Sequence, residues 1–475
     1  MSNCPASGAM GPRVKAVLVS ICMVLTGCIS QPPPDMDGDG IEDALDSDMD
    51  GDGWENALEE NCSTSHDNAS SVPSDADGDW SCDLLDEDDD GDGWSDEGEA
   101  ECGTEALDAT STPGDVDGDG VCDSLDDDSD GDGWSDEGEA ECGTEALDAT
   151  STPGDVDGDG VCDSLDDDSD GDGLPNEWEE PRGFDPLDPD DYMTCHGEVA
   201  YCLRTYDDFT FAETHNAYST VEDEFLIGVN HYTGLQSQWE DGIRAFMVDS
   251  HHRSDENTTA DDVSFCHGTG QFFHPCQFGI VSAFDWLRLL DSLMNNSSGD
   301  IVTLLIENYV PASHLSHLFN ETDMSRRVYT HTLGEPWPSL GDLALAGTDL
   351  VVFWEQSQND DYPWLHDFGV FSWTTDYAED YPEDMDCTVY RGDGSQPVWH
   401  LNNWLTSSFG LPDPVRAVDV NNYDTLLQRS IECWEIMDNR PTFIAVDYWE
   451  EGEVTNVTIT INKMSHWSDE VPPHP

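Results

Sequence analysis

Positive charge is what this sequence has least of. Its 475 residues carry 14 Lys plus Arg against 106 Asp plus Glu, a formal net charge of −92, and no basic residue lies between Lys15 and Arg182. A segment of that composition repels itself unless cations fill it. Nucleic acid and anionic membrane surfaces are excluded as partners of the acidic stretch, because each requires positive charge. Divalent cations are its natural counterions. Long hydrophobic runs are missing too: the apolar run Ala16 to Leu25 is too short to span a bilayer as a stable helix. No Cys-x-x-Cys and no His-x-x-x-His spacing occurs, which removes the usual zinc and redox motifs.

The apolar run follows Arg13 and Lys15 and ends in Leu25-Thr26-Gly27-Cys28. This layout resembles a bacterial lipoprotein signal, which implies a signal peptide over 1–27, lipidation of Cys28 and attachment to a membrane through that lipid. An ordinary cleaved signal peptide with an incidental cysteine leads to the same export. Of the 15 cysteines, Cys4 and Cys22 leave with the signal and Cys28 goes to lipid, so an even number remains. An even count in an oxidising compartment points to disulfides. Cys62, Cys82, Cys102, Cys122, Cys142 and Cys162 recur every 20 residues; Cys195, Cys202, Cys266, Cys276, Cys387 and Cys433 lie further on. All are expected to be structural and to pair within their own region.

After a linker over 28–34, residues 35–191 form a repeat array. Residues 91–130 and 131–170 are identical, and 51–90 is a diverged copy in the same register. A fixed period signals an array rather than a globular core. Each copy holds Asp-x-Asp-x-Asp-Gly, with oxygen ligands at alternate positions, glycine at the sharp turn and a later acid able to bind in bidentate fashion. The sets are Asp48, Asp50, Asp52 and Glu59; Asp88, Asp90, Asp92 and Glu99; Asp128, Asp130, Asp132 and Glu139; and Asp168, Asp170, Asp172 and Glu179. Asp35, Asp37, Asp39 and Asp46 make a variant, and second loops begin at Asp75, Asp115 and Asp155. Apolar residues are too sparse for the flanking helices of a true EF-hand. The array resembles thrombospondin type 3 repeats, which implies an irregular, calcium-filled, disulfide-braced rod. A disordered acidic linker is the alternative.

From about Tyr192 tryptophan, aliphatic runs and arginines return, and residues 192–462 have the size of one α/β barrel, with 463–475 as a tail. Buried strands are expected at Phe209 to Ala212, Ala245 to Val248, Ile301 to Ile306, Leu350 to Trp354 and Phe443 to Val446, with a helix at Ala283 to Met294. Alternation of strand and helix argues for a parallel sheet with crossovers. In such a barrel the polar residues after each strand share one rim. Those residues are His215 and Asn216, Asp249, His267, Glu307 and Asn308, and Asp447. Two histidines suit proton transfer at a phosphodiester, and hard oxygen ligands suit a cation that polarises the phosphate.

Thr214-His215-Asn216-Ala217, Asp241-Gly242-Ile243-Arg244 through Met247-Val248-Asp249, Cys266-His267-Gly268, Ile306-Glu307-Asn308-Tyr309 and Phe443 to Asp447 resemble the X region of phosphatidylinositol-specific phospholipases C. The bacterial and plant phospholipase-C-like phosphodiesterases are the nearest type, over most of 205–450. The resemblance extends to Trp337-Pro338-Ser339-Leu340-Gly341, Val351-Val352-Phe353 and Leu401 to Leu405. It implies an irregular (β/α)8 TIM-barrel-like domain in which His215 and His267 are the acid and base pair. It further implies that Asn216, Asp249 and Glu307 hold a catalytic calcium ion, that Asp447 orients His215, and that a phospholipid or other phosphodiester is cleaved to a cyclic phosphate. Met247 stands where the eukaryotic calcium enzymes have a further acidic ligand. The metal-independent bacterial enzymes have an arginine at the position of Asp249, so the calcium-assisted version is favoured.

Rival readings stay open at this point. Asp249 and Glu307 would serve equally as ion-pair partners of Arg244. His251, His252 and His274 admit a zinc hydrolase. Trp239, Trp286, Trp354, Trp373 and Trp404 read as core and rim packing. An inactive barrel on a calcium-dependent surface adhesion or scaffold protein, and a glycerophosphodiesterase or sphingomyelinase D, are alternative functions.

Overall fold

The computed structural model describes residues 32–256, 258–267, 274–377, 379–407 and 411–475; the signal segment 1–27 and Cys28 lie outside the described residues. The chain divides into two units, one up to Pro153 and one from Gly154 to Pro475.

In the first unit the loops that begin at Asp48, Asp88 and Asp128 run into short helices, Asn56–Asn61, Asp96–Cys102 and Asp136–Cys142. The sequence argued against helices here, and the reason they form is local capping in place of apolar packing. The Ser95 hydroxyl accepts from the Gly98 N–H at 3.1 Å, and Gly103 ends the helix in the left-handed region at φ 85°. The bridges Cys62–Cys82 and Cys102–Cys122 then tie the ends of the first two helices to the next loop, in keeping with the expected pairing within the region. The loops fold around their own carboxylates: Asp48 accepts from Gly51 and Gly53, at 2.9 and 3.0 Å. Gly51 has φ 75°, and a Cβ there would come within 2.7 Å of Asp37. Only glycine fits that turn.

The second unit is built on one sheet. Its strands are β1 (Phe211–Thr214), β2 (Ala245–His252), β3 (Val263–Phe265), β4 (Val281–Ser282), β5 (Val302–Asn308), β6 (Leu350–Trp354), β7 (Leu365–Asp367), β8 (Trp373–Thr375), β9 (Val389–Arg391), β10 (Trp399–Asn403) and β11 (Phe443–Val446). Neighbours run β7-β6-β5-β2-β1-β11-β10-β8-β9. Every pair from β7 through to β8 is parallel, and β3, β4 and β9 add antiparallel extensions. The first and last parallel strands pair along their length, Phe211 with Phe443 through Thr214 with Val446. Among the described residues no ladder joins β7 to β8, so the curled sheet is closed at β1/β11 and open opposite. A mixed α/β fold of this order is a barrel with one seam unpaired, in keeping with the irregular (β/α)8 form expected.

The five expected strands are present with ends that differ by at most four residues, and the helix Ala283–Asn295 matches the one foreseen. β7 to β10 were not anticipated. Three of these are only three residues long, and β10 carries the buried polar residues His400, Asn402 and Asn403. A polar strand gives no apolar run to read. Side chains alternate as a pleated sheet requires. Phe246, Val248, Leu304, Ile306, Val352 and Ile444 share a cluster with helix residues Trp286, Leu290, Leu315 and Leu426. Phe211, Met247, Leu305, Phe353 and Phe443 fill the inside.

The interior also holds Glu213 and His400, both 0% exposed, joined by a 2.7 Å hydrogen bond from His400 Nδ1 to Glu213 Oε2. His400 stacks on Phe443 at 4.3 Å. A buried carboxylate that loses its partner is strongly destabilising, whereas apolar residues of similar volume at both positions are not. His400→Ala is expected to cost roughly 3–5 kcal/mol. The paired Glu213→Leu/His400→Phe variant should recover most of that loss in urea unfolding followed by near-ultraviolet circular dichroism. An unchanged midpoint in His400→Ala would contradict the assignment of this pair as a structural element of the barrel interior.

Candidate active site

The strand pairing that closes the sheet also builds the centre of the rim. Thr214 lies opposite Val446, so the residues that follow, His215 and Asp447, leave the sheet side by side. The His215 Nδ1–H donates to Asp447 Oδ1 at 2.9 Å, which fixes the tautomer and leaves Nε2 with its lone pair. Asn230 Nδ2 donates to the same carboxylate oxygen at 2.7 Å. Trp404 lies flat on the His215 ring, with centroids 4.2 Å apart and planes 6° from parallel. Trp404 thus packs at the rim, as expected.

Asn216 occupies the left-handed region at φ 51°, a conformation that asparagine tolerates better than most residues. Its amide nitrogen donates to His215 Nε2 at 3.1 Å and to His267 Nδ1 at 2.8 Å, so one side chain spans the two histidines. His267 arrives on a separate element. The Cys266 N–H donates to the Asp249 carbonyl at 3.2 Å, and the Cys266–Cys276 bridge anchors the segment that carries the histidine. Burial, followed by the charge of His215, lowers the His267 pKa, while the carboxylates of Glu307 and Asp447 act to raise it.

Asp249 and Glu307 are direct partners across the parallel β2/β5 ladder, two acids at the same level of the barrel. Asp249 is buried, and burial together with the charge of Glu307 pushes its carboxyl well above the usual range. Its Oδ2 lies 3.6 Å from His267 Nδ1. Glu307 accepts from the Tyr309 hydroxyl. Arg244, the suggested ion-pair partner of these acids, instead pairs with Asp300 at 3.1 Å and stacks on Trp239 at 3.7 Å. Asn216, Asp249 and Glu307 are hard oxygen donors around a cavity of about 120 Å³ that His215, Met247 and Trp404 also line. An adjacent pair of carboxylates that, among the described residues, makes no direct Lys or Arg ion pair, plus a neutral amide oxygen, fits a cation of the calcium type. Met247 brings no charge to the set.

Arg391 and Glu355 line the same cavity and were not foreseen. They form an ion pair, with the Arg391 guanidinium 5.2 Å from the Tyr377 ring centre. Arg391 is one of only 14 basic residues, and that scarcity was the available signal. His251, His252 and His274 are close enough that burial, then the charges of His274, His267 and His252, lower the His251 pKa, but their direct contacts differ. His251 stacks on Tyr309, His252 Nε2 meets His314 Nδ1 at 3.0 Å, and His274 faces Asp255 at 3.8 Å.

A second set of sites lies in the acidic loops. The carboxylates of Asp48, Asp50 and Asp52, and those of Asp88, Asp90 and Asp92, each offer oxygens within 4.8 Å of one another. Asp50, Asp52, Asp90, Asp92, Asp130, Asp132, Asp168, Asp170 and Asp172 each bury a carboxylate oxygen that has no hydrogen-bond partner. Glu59, Glu99, Glu139 and Glu179 are almost fully buried with at least one oxygen likewise orphaned. Orphaned buried carboxylates are among the costliest groups to keep in a fold, and a divalent cation is the group that fits them.

Residues 201–462, more than half of the chain, match the PI-PLC X 1 family, and the chain belongs to that family. It is 26% identical over 293 residues to the PI-PLC X domain-containing protein 1 of Arthroderma benhamiae, covering 57% of this chain and 90% of that protein. A PI-PLC X domain-containing protein of Arabidopsis thaliana is 28% identical over 280 residues, covering 55% and 62%. An uncharacterised secreted protein of A. benhamiae is 22% identical over 293 residues, covering 56% and 62%. The chain therefore spans less than two thirds of the length of these last two relatives. Among solved structures, a single-residue mutant of the phosphatidylinositol-specific phospholipase C from Staphylococcus aureus is similar at 12% identity, covering 56% of this chain and 94% of that one with a TM-score of 0.37.

The acidic loops generate a pH test. Burial and the neighbouring aspartates raise Glu179 from 4.5 to about 7 in the ion-free loop, so the folded state binds protons more tightly there than the unfolded chain does. Stability must then fall as pH rises between those two values. In chelator the melting midpoint should drop between about pH 5 and pH 7, and saturating calcium should abolish most of that drop. A midpoint that follows the same pH curve with and without calcium would count against ion binding in the loops.

Proposed function

We propose that this protein is an exported phospholipase-C-like phosphodiesterase that uses His215 and His267 as a base and acid pair. The observation that carries the reading is the single connected set Asp447, His215, Asn216 and His267, linked by contacts of 2.9, 3.1 and 2.8 Å beside two facing carboxylates. His215, held by Asp447, accepts the proton of a head-group hydroxyl next to the phosphate. That oxygen attacks phosphorus, the bond from phosphorus to the diacylglycerol oxygen breaks, and His267, protonated in the substrate complex, gives its proton to the leaving oxygen and becomes neutral. The product is a cyclic phosphate. Calcium bound by Asn216, Asp249 and Glu307 would neutralise charge growing on the phosphate. Arg391 is positioned to bind the substrate phosphate on release from Glu355, since guanidinium matches phosphate geometry.

The acidic loops are read as structural calcium sites on the strength of their orphaned oxygens. The bridges Cys195–Cys202, Cys266–Cys276 and Cys387–Cys433 support folding in an oxidising compartment outside the cytoplasm. Lipidation at Cys28 would hold the enzyme at a membrane; mass spectrometry of the mature N-terminal peptide tests this, and an unmodified Cys28 in the membrane fraction would sink it.

His215→Ala and His267→Ala are each expected to lower kcat/KM on phosphatidylinositol vesicles by ~10²–10⁴ with folding intact, and Asp249→Asn to abolish the response to calcium. Full activity in either histidine variant would refute the mechanism. A wild-type barrel that binds ligand without turnover across a broad phosphodiester screen would instead favour the calcium-dependent adhesion protein, for which Met247 is the motivating residue. Product analysis separates glycerophosphodiesterase and sphingomyelinase D chemistry.

A further inference from the structure

The last acidic loop differs from its repeats in one way. Residues 128–139 and 168–179 share the three aspartates of the turn, both its glycines and the closing glutamate, yet Trp134 is replaced by Leu174, Ser135 and Asp136 by Pro175 and Asn176, and Gly138 by Trp178. The ligand side is unchanged and the other side has become apolar. In the structure that apolar side is spent on the barrel. Leu174 is 0% exposed, and Gly173 sits so close to Val199 that a Cβ would lie 3.4 Å from it. Trp178 joins the barrel's inner cluster and lies against Gly341, where a Cβ would meet the indole at 2.6 Å. Arg182 stacks on Trp178 at 4.4 Å, donates to its carbonyl at 2.7 Å and grips Asp342 through Nε and Nη2, each at 2.9 Å.

These contacts fall on two segments at the N-terminal ends of the strands: the turn Ala200–Leu203, which contains the bridged Cys202, and the helix Leu340–Leu345. The segments are tied together by the Leu340 N–H donating to the Arg204 carbonyl at 2.8 Å. The helix that carries Trp178 is only Asn176–Glu179, four residues. A helix that short has no stability of its own. Its last residue is Glu179, 0% exposed, with both carboxylate oxygens unpartnered and aimed at Asp168, Asp170 and Asp172.

We infer that a divalent cation in the Asp168–Glu179 loop is a brace for the phosphodiesterase barrel: by ligating Glu179 it fixes the one turn of helix that wedges Trp178 against the Leu340–Leu345 helix of the barrel. This rests on the reading that the acidic loops take calcium, and adds that one of them controls the order of the catalytic domain at a distance from the rim. Calcium then acts twice on the same domain, through separate ions.

The test is hydrogen exchange with mass spectrometry on the full chain, with calcium and with chelator, read at peptides covering 199–205 and 340–345. Calcium at about 100 times its dissociation constant should slow exchange there by up to about 100-fold in the wild type. Glu179→Gln should remove that protection, whereas Glu139→Gln, in the matching loop of the first unit, should keep it. Trp178→Ala retains all the ligands and should bind calcium in calorimetry while losing the protection, which guards against a Glu179 variant that fails to fold. Protection that survives in Trp178→Ala or Glu179→Gln overturns the inference. So does calcium binding by calorimetry with no change at these peptides in the wild type. Absence of any calorimetric binding would refute the calcium reading of the loops, and the brace with it.

Discussion

Carboxylates held against carboxylates, without enough positive charge to neutralise them, constrain every part of this chain. Asp249 and Glu307 face each other across a ladder, and Glu179 lies buried over three aspartates. In water such groups would separate; in a fold they must be protonated or bound to a cation. The acidic loops and the rim thus share one physical requirement on different scaffolds. In the loops the backbone itself gathers the charge, since turns with φ near 70–105° at Gly51, Gly53, Gly91 and Gly93 place alternate aspartates around one point. At the rim strand register does the same.

The barrel supplies what the loops lack, a rigid frame. Pairing of β1 with β11 brings residues more than 200 positions apart into a hydrogen bond of 2.9 Å between His215 and Asp447. Pairing of β2 with β5 sets Asp249 opposite Glu307, and the Cys266–Cys276 bridge holds the chain on which His267 stands. Asn216 joins the parts by donating to both imidazoles. The open seam between β7 and β8 lies away from this group, on the opposite side of the sheet order.

Much of this was legible in the sequence, for identifiable reasons. Ala245 to Val248, Ile301 to Ile306, Leu350 to Trp354 and Phe443 to Val446 are apolar runs because they are buried on both faces, and the rim residues could be read from their ends. The acidic loops were readable because their aspartate and glycine spacing is local. Other features were hidden by long-range context. β10 is polar within the core, so its burial depends on Glu213 meeting His400 across the barrel interior, which no local window reveals. Arg391 enters the cavity from a short antiparallel strand outside the α/β alternation. The short helices after the acidic loops came from capping and bridges rather than periodicity. The role of Trp178 was visible only once the repeat differences were set beside the contacts they make.

The most direct test of the catalytic account is phosphorus nuclear magnetic resonance of the products formed from phosphatidylinositol vesicles by the calcium-loaded protein. The account predicts a downfield resonance of a five-membered cyclic phosphate that appears with wild-type protein, disappears on chelation, returns with calcium and is absent with His215→Ala. Hydrolysis that gives only an acyclic phosphate, or activity restored by zinc but not by calcium, would contradict it.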